Sequence, residues 1–256
     1  MRVDESRGVR SPSGVWVADD FRSNLIVDRH DPVFSRMRAS KLKHLRSENS
    51  EDAATWNAFR TLRHVQPAVW LPDLWGRAFP AVQLPSDQEA VIHLWPQVEP
   101  PWALLREGDE GASEIDVVIE APTWVWCMEV KLRSDISLGT TMRPDRDQLL
   151  RNIDVGSYFA APRRFFFSLL LSSPDRSPKG VAKIEEYQDP CHIRRLLEGH
   201  RPDGLPNLEN VGLLRWADVT AVLAGAAEGA PTETERDVAR RAVEWLGRRG
   251  LAGGVV

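Results

Sequence analysis

The alternation of apolar and polar positions along the chain predicts a mixed α/β fold. Runs of β-branched, aromatic and aliphatic residues, bounded by turn-forming residues, predict strands at 90–95, 113–120, 123–132, 163–173 and 211–219. The fourth run is apolar almost throughout, which is typical of a strand buried on both faces of a sheet. The fifth is short and is expected to lead directly into a helix.

Three segments have the helical period instead. The first begins after Ser50 or Asn49, either of which can be the N-cap, and carries an apolar stripe of Ala54, Ala58, Leu62 and Val65. The second is expected to begin at Pro144 and to continue to residue 161, since proline suits a first helical turn. The third covers 232–249 and ends at Gly250. Strands and helices in this order predict a mixed sheet flanked by helices.

This pattern predicts an N-terminal arm and one domain. Residues 1–34 mix charges, serine, glycine and proline with little period, so we expect a loosely ordered arm that contains at most a short strand. Residues 35–256 form the expected domain, with a core at 48–172 and a C-terminal strand and helices at 207–250. The tryptophan- and proline-rich stretch 66–90 is expected to be irregular, or an insertion over the core.

Composition excludes several classes of protein. Hydrophobic residues at 42% and charged residues at 27% are ordinary globular values, and no apolar stretch approaches the roughly 18 residues that a membrane span needs. Two cysteines cannot build a disulfide framework, so a cytoplasmic location is the default expectation. The net charge of −4 gives no indication of nucleic-acid binding. Residues 35–47, however, hold five basic residues and no acid, which fits either a solvated helix face or a phosphate-contacting surface.

One group of polar side chains is expected to converge beside the apolar hairpin. Side chains alternate between the faces of a strand, so Glu129 and Lys131 project from the same face of the strand at 123–132. The short turn at 121–122 predicts a hairpin with the preceding strand, and that hairpin can bring Asp116 close to Glu129.

Two carboxylates and a lysine suit the hydrolysis of a phosphodiester. Asp116 and Glu129 would supply the hard oxygen ligands that Mg²⁺ prefers, and Mn²⁺ can substitute. Lys131 would position the attacking water or stabilise the charge that develops on phosphorus. Glu51 lies in the middle of the apolar stripe of the first helix, where a carboxylate needs a metal or another partner, and we prefer it to Glu48 as a further metal ligand. Gln148, with Asn152 one turn later, could orient the lysine or contact a phosphate.

These residues resemble the PD-(D/E)xK nuclease superfamily, which has the restriction-endonuclease-like fold. The pattern of that superfamily corresponds in chain order to Glu51, to Asp116 in IDVVIE, to Glu129 and Lys131 in MEVKL, and to Gln148 in DQLLRN. The resemblance covers residues 48–172 and implies an αβββαβ core and Mg²⁺-dependent cleavage of nucleic acid. Two features depart from the superfamily: Ile115 stands where a proline is usual, and the interval from Gln148 to Tyr158 does not match a Gln-x-x-x-Tyr form.

The leading hypothesis is a bacterial DNA endonuclease of defence, restriction or repair type, without a membrane partner. A nuclease-like fold that has lost catalysis and binds nucleic acid or protein is the main alternative, because Glu129 and Lys131 also fit an ordinary surface salt bridge. A third hypothesis is a structural protein that assembles through the segment 66–85 and the C-terminal helix. A homodimer, RNA as the substrate, and the basis of any sequence specificity remain open.

Overall fold

The structure is a computed structural model that describes residues 8–87, 89–106, 111–139 and 146–253. In chain order its elements are β1 (Gly8–Arg10), β2 (Trp16–Ala18), α1 (Val33–Arg36), α2 (Ala39–Leu45), α3 (Glu51–Leu62), α4 (Pro67–Ala78), β3 (Val91–Leu94), β4 (Gln97–Val98), α5 (Trp102–Arg106), β5 (Ser113–Glu114), β6 (Val117–Glu120), β7 (Trp124–Val130), α6 (Gln148–Ala160), β8 (Arg164–Leu171), α7 (Pro178–Tyr187), α8 (Pro190–Leu197), β9 (Leu208–Arg215), α9 (Trp216–Gly229) and α10 (Glu233–Gly247). Two 3₁₀ turns lie at Phe21–Asn24 and Pro174–Arg176. None of the helices described is both long and apolar enough to cross a bilayer.

The chain divides into two compact units. The first consists of residues 1–74 and 216–256, and the second of residues 75–215. The sequence led us to expect a single domain from residue 35 onwards. The expected C-terminal portion 207–250 is also divided, because β9 belongs to the second unit whereas α9 and α10 belong to the first.

The first unit is mainly helical and includes most of the expected arm. Trp16, Phe21 and Phe34 are buried, so the expectation of a loosely ordered segment is wrong for this part of the chain. The reason is that widely spaced apolar residues in an irregular stretch still bury their side chains when tertiary contacts are present. Helix α3 begins at Glu51, and its N-cap is Ser50, one of the two predicted candidates, whose Oγ accepts a hydrogen bond from the backbone N–H of Ala53.

The second unit is built on a five-stranded mixed sheet in the order β3-β6-β7-β8-β9. Strands β3, β6 and β7 are antiparallel neighbours, whereas β7, β8 and β9 run parallel. Helix α6 connects β7 to β8, and α7 and α8 connect β8 to β9. The mixed α/β class, the hairpin of β6 and β7, and the buried strand β8 are therefore confirmed.

Apolar side chains cover both faces of strand β7. On one face Trp124 and Trp126 pack against Trp75 with ring centroids 5.4 and 5.6 Å away. On the other face Val125 and Cys127 belong to the cluster that includes the apolar residues of α6. Burial raises the pKa of the Cys127 thiol, so this side chain acts as an apolar residue. A polar residue on the α6 face of β7 is consequently buried as well.

Two sequence-based predictions need correction in the described residues. Residues 67–78 are not irregular but form helix α4, with Pro67 in its first turn and Pro72 inside it. Helix α6 begins at Gln148, where Asp147 is the N-cap, whereas Pro144, the expected start, lies outside the described residues. The segment 174–206, which has many prolines and glycines, contains the helices α7 and α8.

Candidate active site

The β6–β7 hairpin places Asp116 beside Glu129. Val117 pairs with Met128 across the two strands, and one further step of this register sets Asp116 opposite Glu129. The Asp116 carboxylate accepts a hydrogen bond from the backbone N–H of Val130 through Oδ2, at 2.8 Å. Asp116 is half-buried, at the point where β6 begins. The predicted hairpin, on which the proximity of the two acids depends, is confirmed.

Glu129 is buried and lies at the centre of a hydrogen-bond network. Its side chain is held by three donors, because Lys131 Nζ and Gln148 Nε2 both donate to Oε1 at 2.6 Å, and Asn152 Nδ2 donates to Oε2 at 2.6 Å. Glu129 is 2% exposed and Lys131 is 8% exposed. A buried carboxylate of this kind needs such donors, since an unpaired charge in a low dielectric is strongly unfavourable. Glu129 and Lys131 therefore form a buried ion pair and not the exposed one that the alternative interpretation assumed.

Helix α6 supplies the two amides. Gln148 and Asn152 are four residues apart and so lie on one face, over successive turns. The sequence suggested that these amides orient the lysine or contact a phosphate, whereas in the structure both bind Glu129. Gln148 is fixed further by Ser137, whose carbonyl accepts the Gln148 backbone N–H at 3.0 Å. The helix start is fixed by Asp147, which caps it and accepts a hydrogen bond from the hydroxyl of Tyr187.

The loop that follows β7 is anchored by Asp135. Its carboxylate accepts hydrogen bonds from the backbone N–H groups of Lys179 and Gly180 and from the Ser177 hydroxyl, at 3.0, 3.0 and 2.7 Å. Asp135 thus caps α7 from outside that helix. Burial opposes ionisation here, but the hydrogen bonds outweigh it and lower the pKa of Asp135. The anchored loop carries Ser137, and through Gln148 it helps to hold Glu129.

The two candidate helix carboxylates lie in the first unit. Glu51 is half-buried in the first turn of α3. Its place on an apolar stripe is a weak criterion, because residues 53–59 of this helix are all buried and no single stripe is distinguished. Glu48 accepts the backbone N–H of Trp16 at 2.6 Å, so it has a structural role in the first unit. The metal-binding role of Glu51 stays a prediction.

The donor set at the hairpin is chemically suited to Mg²⁺. This ion keeps several waters and commonly binds proteins through only one or two carboxylates, which Asp116 and Glu129 can supply. No group of three or more His, Cys, Asp or Glu side chains is arranged to hold a metal in the described ranges, which leave out 140–145. A metal at this site would therefore depend on few protein ligands.

Known proteins give no further guidance at this point. No protein-family model, no curated protein and no solved structure matches the chain. The site must be interpreted from its own geometry.

Some residues that shape the site had weak or no signals in the sequence. Asn152 contacts Glu129 as closely as Gln148 does, and the four-residue spacing of the two amides was the available signal. Asp135 contacts residues more than forty positions later in the chain, and no local pattern announces such a contact.

Proposed function

We propose that Asp116, Glu129 and Lys131 form a magnesium-dependent site for phosphodiester hydrolysis, and that the chain is a DNA endonuclease of the PD-(D/E)xK type. The observation that supports this proposal is the hairpin register, which sets Asp116 one step beyond the pair Val117–Met128 and so opposite Glu129, while Lys131 bonds to Glu129. The succession β3, β6, β7, α6 and β8 supports it, because it matches the βββαβ part of the order that the resemblance implies.

Each residue has a distinct task in this proposal. Asp116 and Glu129 would hold Mg²⁺, which supplies Lewis-acid polarisation of the phosphate and a lowered pKa for the attacking water. Lys131 would leave Glu129 for the substrate and stabilise the charge that develops on the phosphate oxygens. Gln148 keeps Glu129 in place from α6.

The alternative is a nuclease-like fold that binds nucleic acid or protein without cleavage. One observation favours it: both carboxylate oxygens of Glu129 already accept hydrogen bonds from neighbouring side chains. Binding a metal requires at least one of these bonds to be exchanged. The two functions differ in whether cleavage accompanies binding.

A plasmid-nicking assay separates them. Purified protein with supercoiled DNA and either Mg²⁺ or Mn²⁺ is expected to produce nicked circles, and chelation is expected to stop the reaction. Asp116→Asn and Lys131→Met are each expected to lower the rate by about 10²–10³-fold, the usual effect of removing a group that stabilises transition-state charge. A matched RNA substrate identifies the preferred sugar.

The controls are residues of the same type on the surface of the second unit. Asp175 and Lys179 are exposed, so Asp175→Asn and Lys179→Met are expected to retain wild-type nicking. Nicking that persists in Asp116→Asn and Lys131→Met would place any activity elsewhere. A wild-type protein that binds DNA in a salt-sensitive way but cleaves with neither metal would support the binding module instead.

A further inference from the structure

A cavity lies in the second unit, away from the candidate active site. Its volume is about 760 Å³, within the range of small-molecule sites, and the C-terminal end of α6 forms part of its wall. Tyr158, which lines it, follows Gln148 by ten residues, or ~15 Å along a helix axis. The cavity is therefore separate from Asp116, Glu129 and Lys131.

Arg201 presents a positive charge to this cavity. Its guanidinium meets Asp154 Oδ1 at 3.6 Å, donates to the Ser157 hydroxyl at 3.1 Å, and lies 5.8 Å from the centroid of the Tyr158 ring. A guanidinium has five N–H donors, which outnumber these contacts. Arg201 thus has the capacity to bind an anion that enters the cavity.

Asp154 holds the cationic side of the cavity rigidly. It is fully buried, and its Oδ2 accepts hydrogen bonds from Arg146 at 2.5 Å and from His200 Nε2 at 2.7 Å. The same carboxylate also pairs with Arg201, so Asp154 contacts two guanidinium groups. His200 also lines the cavity, so a second nitrogen-bearing group is fixed beside Arg201.

The lining of the cavity also includes an aromatic ring and a carboxylate. The Tyr158 side chain is 43% exposed, and rigid prolines, Pro162 and Pro206 among them, complete the apolar wall. Asp203, an exposed acid, also lines the cavity. Arg164 and Glu209, which also line the cavity, form an ion pair with each other through two hydrogen bonds of 3.1 and 3.3 Å.

We propose that this cavity binds a nucleoside monophosphate unit, with its base on Tyr158, its phosphate on Arg201 and its sugar hydroxyls on Asp203. Such a unit has the three features that the walls match: a flat ring, an anion and hydroxyl groups. Aromatic side chains stack on bases, guanidinium groups bind phosphates, and acidic side chains accept hydrogen bonds from sugar hydroxyls. The unit can be a free nucleotide or part of a nucleic acid strand. The proposal does not depend on hydrolysis at Asp116, Glu129 and Lys131.

Titration calorimetry of the full chain, without metal, tests the proposal. It measures the affinity of the cavity for adenosine monophosphate, adenosine and ribose 5-phosphate. The monophosphate is expected to bind more tightly than either fragment. Tyr158→Ala is expected to weaken binding about tenfold through lost stacking, whereas Tyr158→Phe keeps the ring and the affinity. Arg201→Gln is expected to lower the affinity for the monophosphate but not for adenosine.

The neighbouring residue provides the matched control. Phe159 is 38% exposed but does not line the cavity, so Phe159→Ala is expected to bind like wild type. Equal affinities of Tyr158→Ala and wild type would overturn the proposal, as would the absence of any binding. Ribose 5-phosphate binding as tightly as the monophosphate would reduce the cavity to a phosphate site and also overturn it. Competition by a single-stranded DNA ten-mer identifies a strand as the source, and the absence of competition identifies a free nucleotide.

Discussion

Glu129 and Asp154 are both buried carboxylates of the second unit, but they are held by different kinds of donor. Glu129 accepts hydrogen bonds from one ammonium group and two neutral amides, those of Lys131, Gln148 and Asn152. Asp154 contacts two guanidinium groups and an imidazole, those of Arg146, Arg201 and His200.

The difference indicates which carboxylate can change partners. Charge-assisted bonds to arginine are strong and geometrically fixed, so Asp154 is expected to keep its partners. A hydrogen bond from a neutral amide to a carboxylate contributes about 1.5–3 kcal/mol but carries no opposite charge, so it is more easily exchanged for a metal ligand. Burial and hydrogen bonding alone therefore do not mark a functional acid, whereas replaceable partners do. The following predictions test this distinction.

The largest expected effect is on stability, at Asp154. Asp154→Ala removes the buried carboxylate that pairs with Arg146 and Arg201, and we expect the free energy of unfolding to fall by about 3–5 kcal/mol. Glu129→Gln should lower it less, because a buried lysine can lose its proton whereas arginine cannot. Urea unfolding, monitored by tryptophan fluorescence, measures the free energy of unfolding of both variants. A loss at Glu129→Gln equal to that at Asp154→Ala would remove the distinction between the two acids.

A smaller effect is expected at Asn152, which we class as a positioning residue. Asn152→Ala removes the donor to Glu129 Oε2, and the Mg²⁺ concentration for half-maximal nicking should rise about 10–100-fold, as for other groups that orient metal ligands. The rate at saturating Mg²⁺ should change much less. Asn210→Ala, on strand β9, is the matched control and should leave both quantities unchanged. A fall in the saturated rate with no change in metal dependence would contradict the positioning role.

The sequence pattern within short stretches predicted those parts of the fold that interactions between nearby residues determine. The turn at 121–122 and the alternation on both sides of it predicted the hairpin, and hence the proximity of Asp116 and Glu129. The capping position of Ser50 gave the start of α3. In each case the determining interaction joins residues that are close in the sequence or directly paired across one turn.

The failures arise where distant contacts outweigh local preference. Pro72 disfavours a helix, yet α4 forms around it and buries Trp70, Leu71 and Leu74. The partners of Asp154 show the same limit, since His200 lies 46 residues further along the chain. Periodicity carries no information about such pairs. The buried environment of Glu129 could be expected only once α6 was known to lie over it.

The smallest expected effect is at Asp135, a third carboxylate, which is held mainly by backbone N–H groups. Asp135→Asn removes an N-cap-like interaction at α7 and should lower the free energy of unfolding at neutral pH by about 1 kcal/mol. Because the pKa of Asp135 is lowered in the folded state, its ionised form stabilises the protein fully above the unfolded value of about 3.9. This contribution disappears as the pH falls through the folded pKa. The free energies of unfolding of wild type and Asp135→Asn should therefore differ at pH 5–7 and converge towards pH 3, as measured by urea unfolding at a series of pH values.

The control is Asp175→Asn, at an exposed position, which should have the same free energy of unfolding as wild type at every pH. A difference between wild type and Asp135→Asn that stays constant down to pH 3 would show that the Asp135 contacts do not depend on its charge.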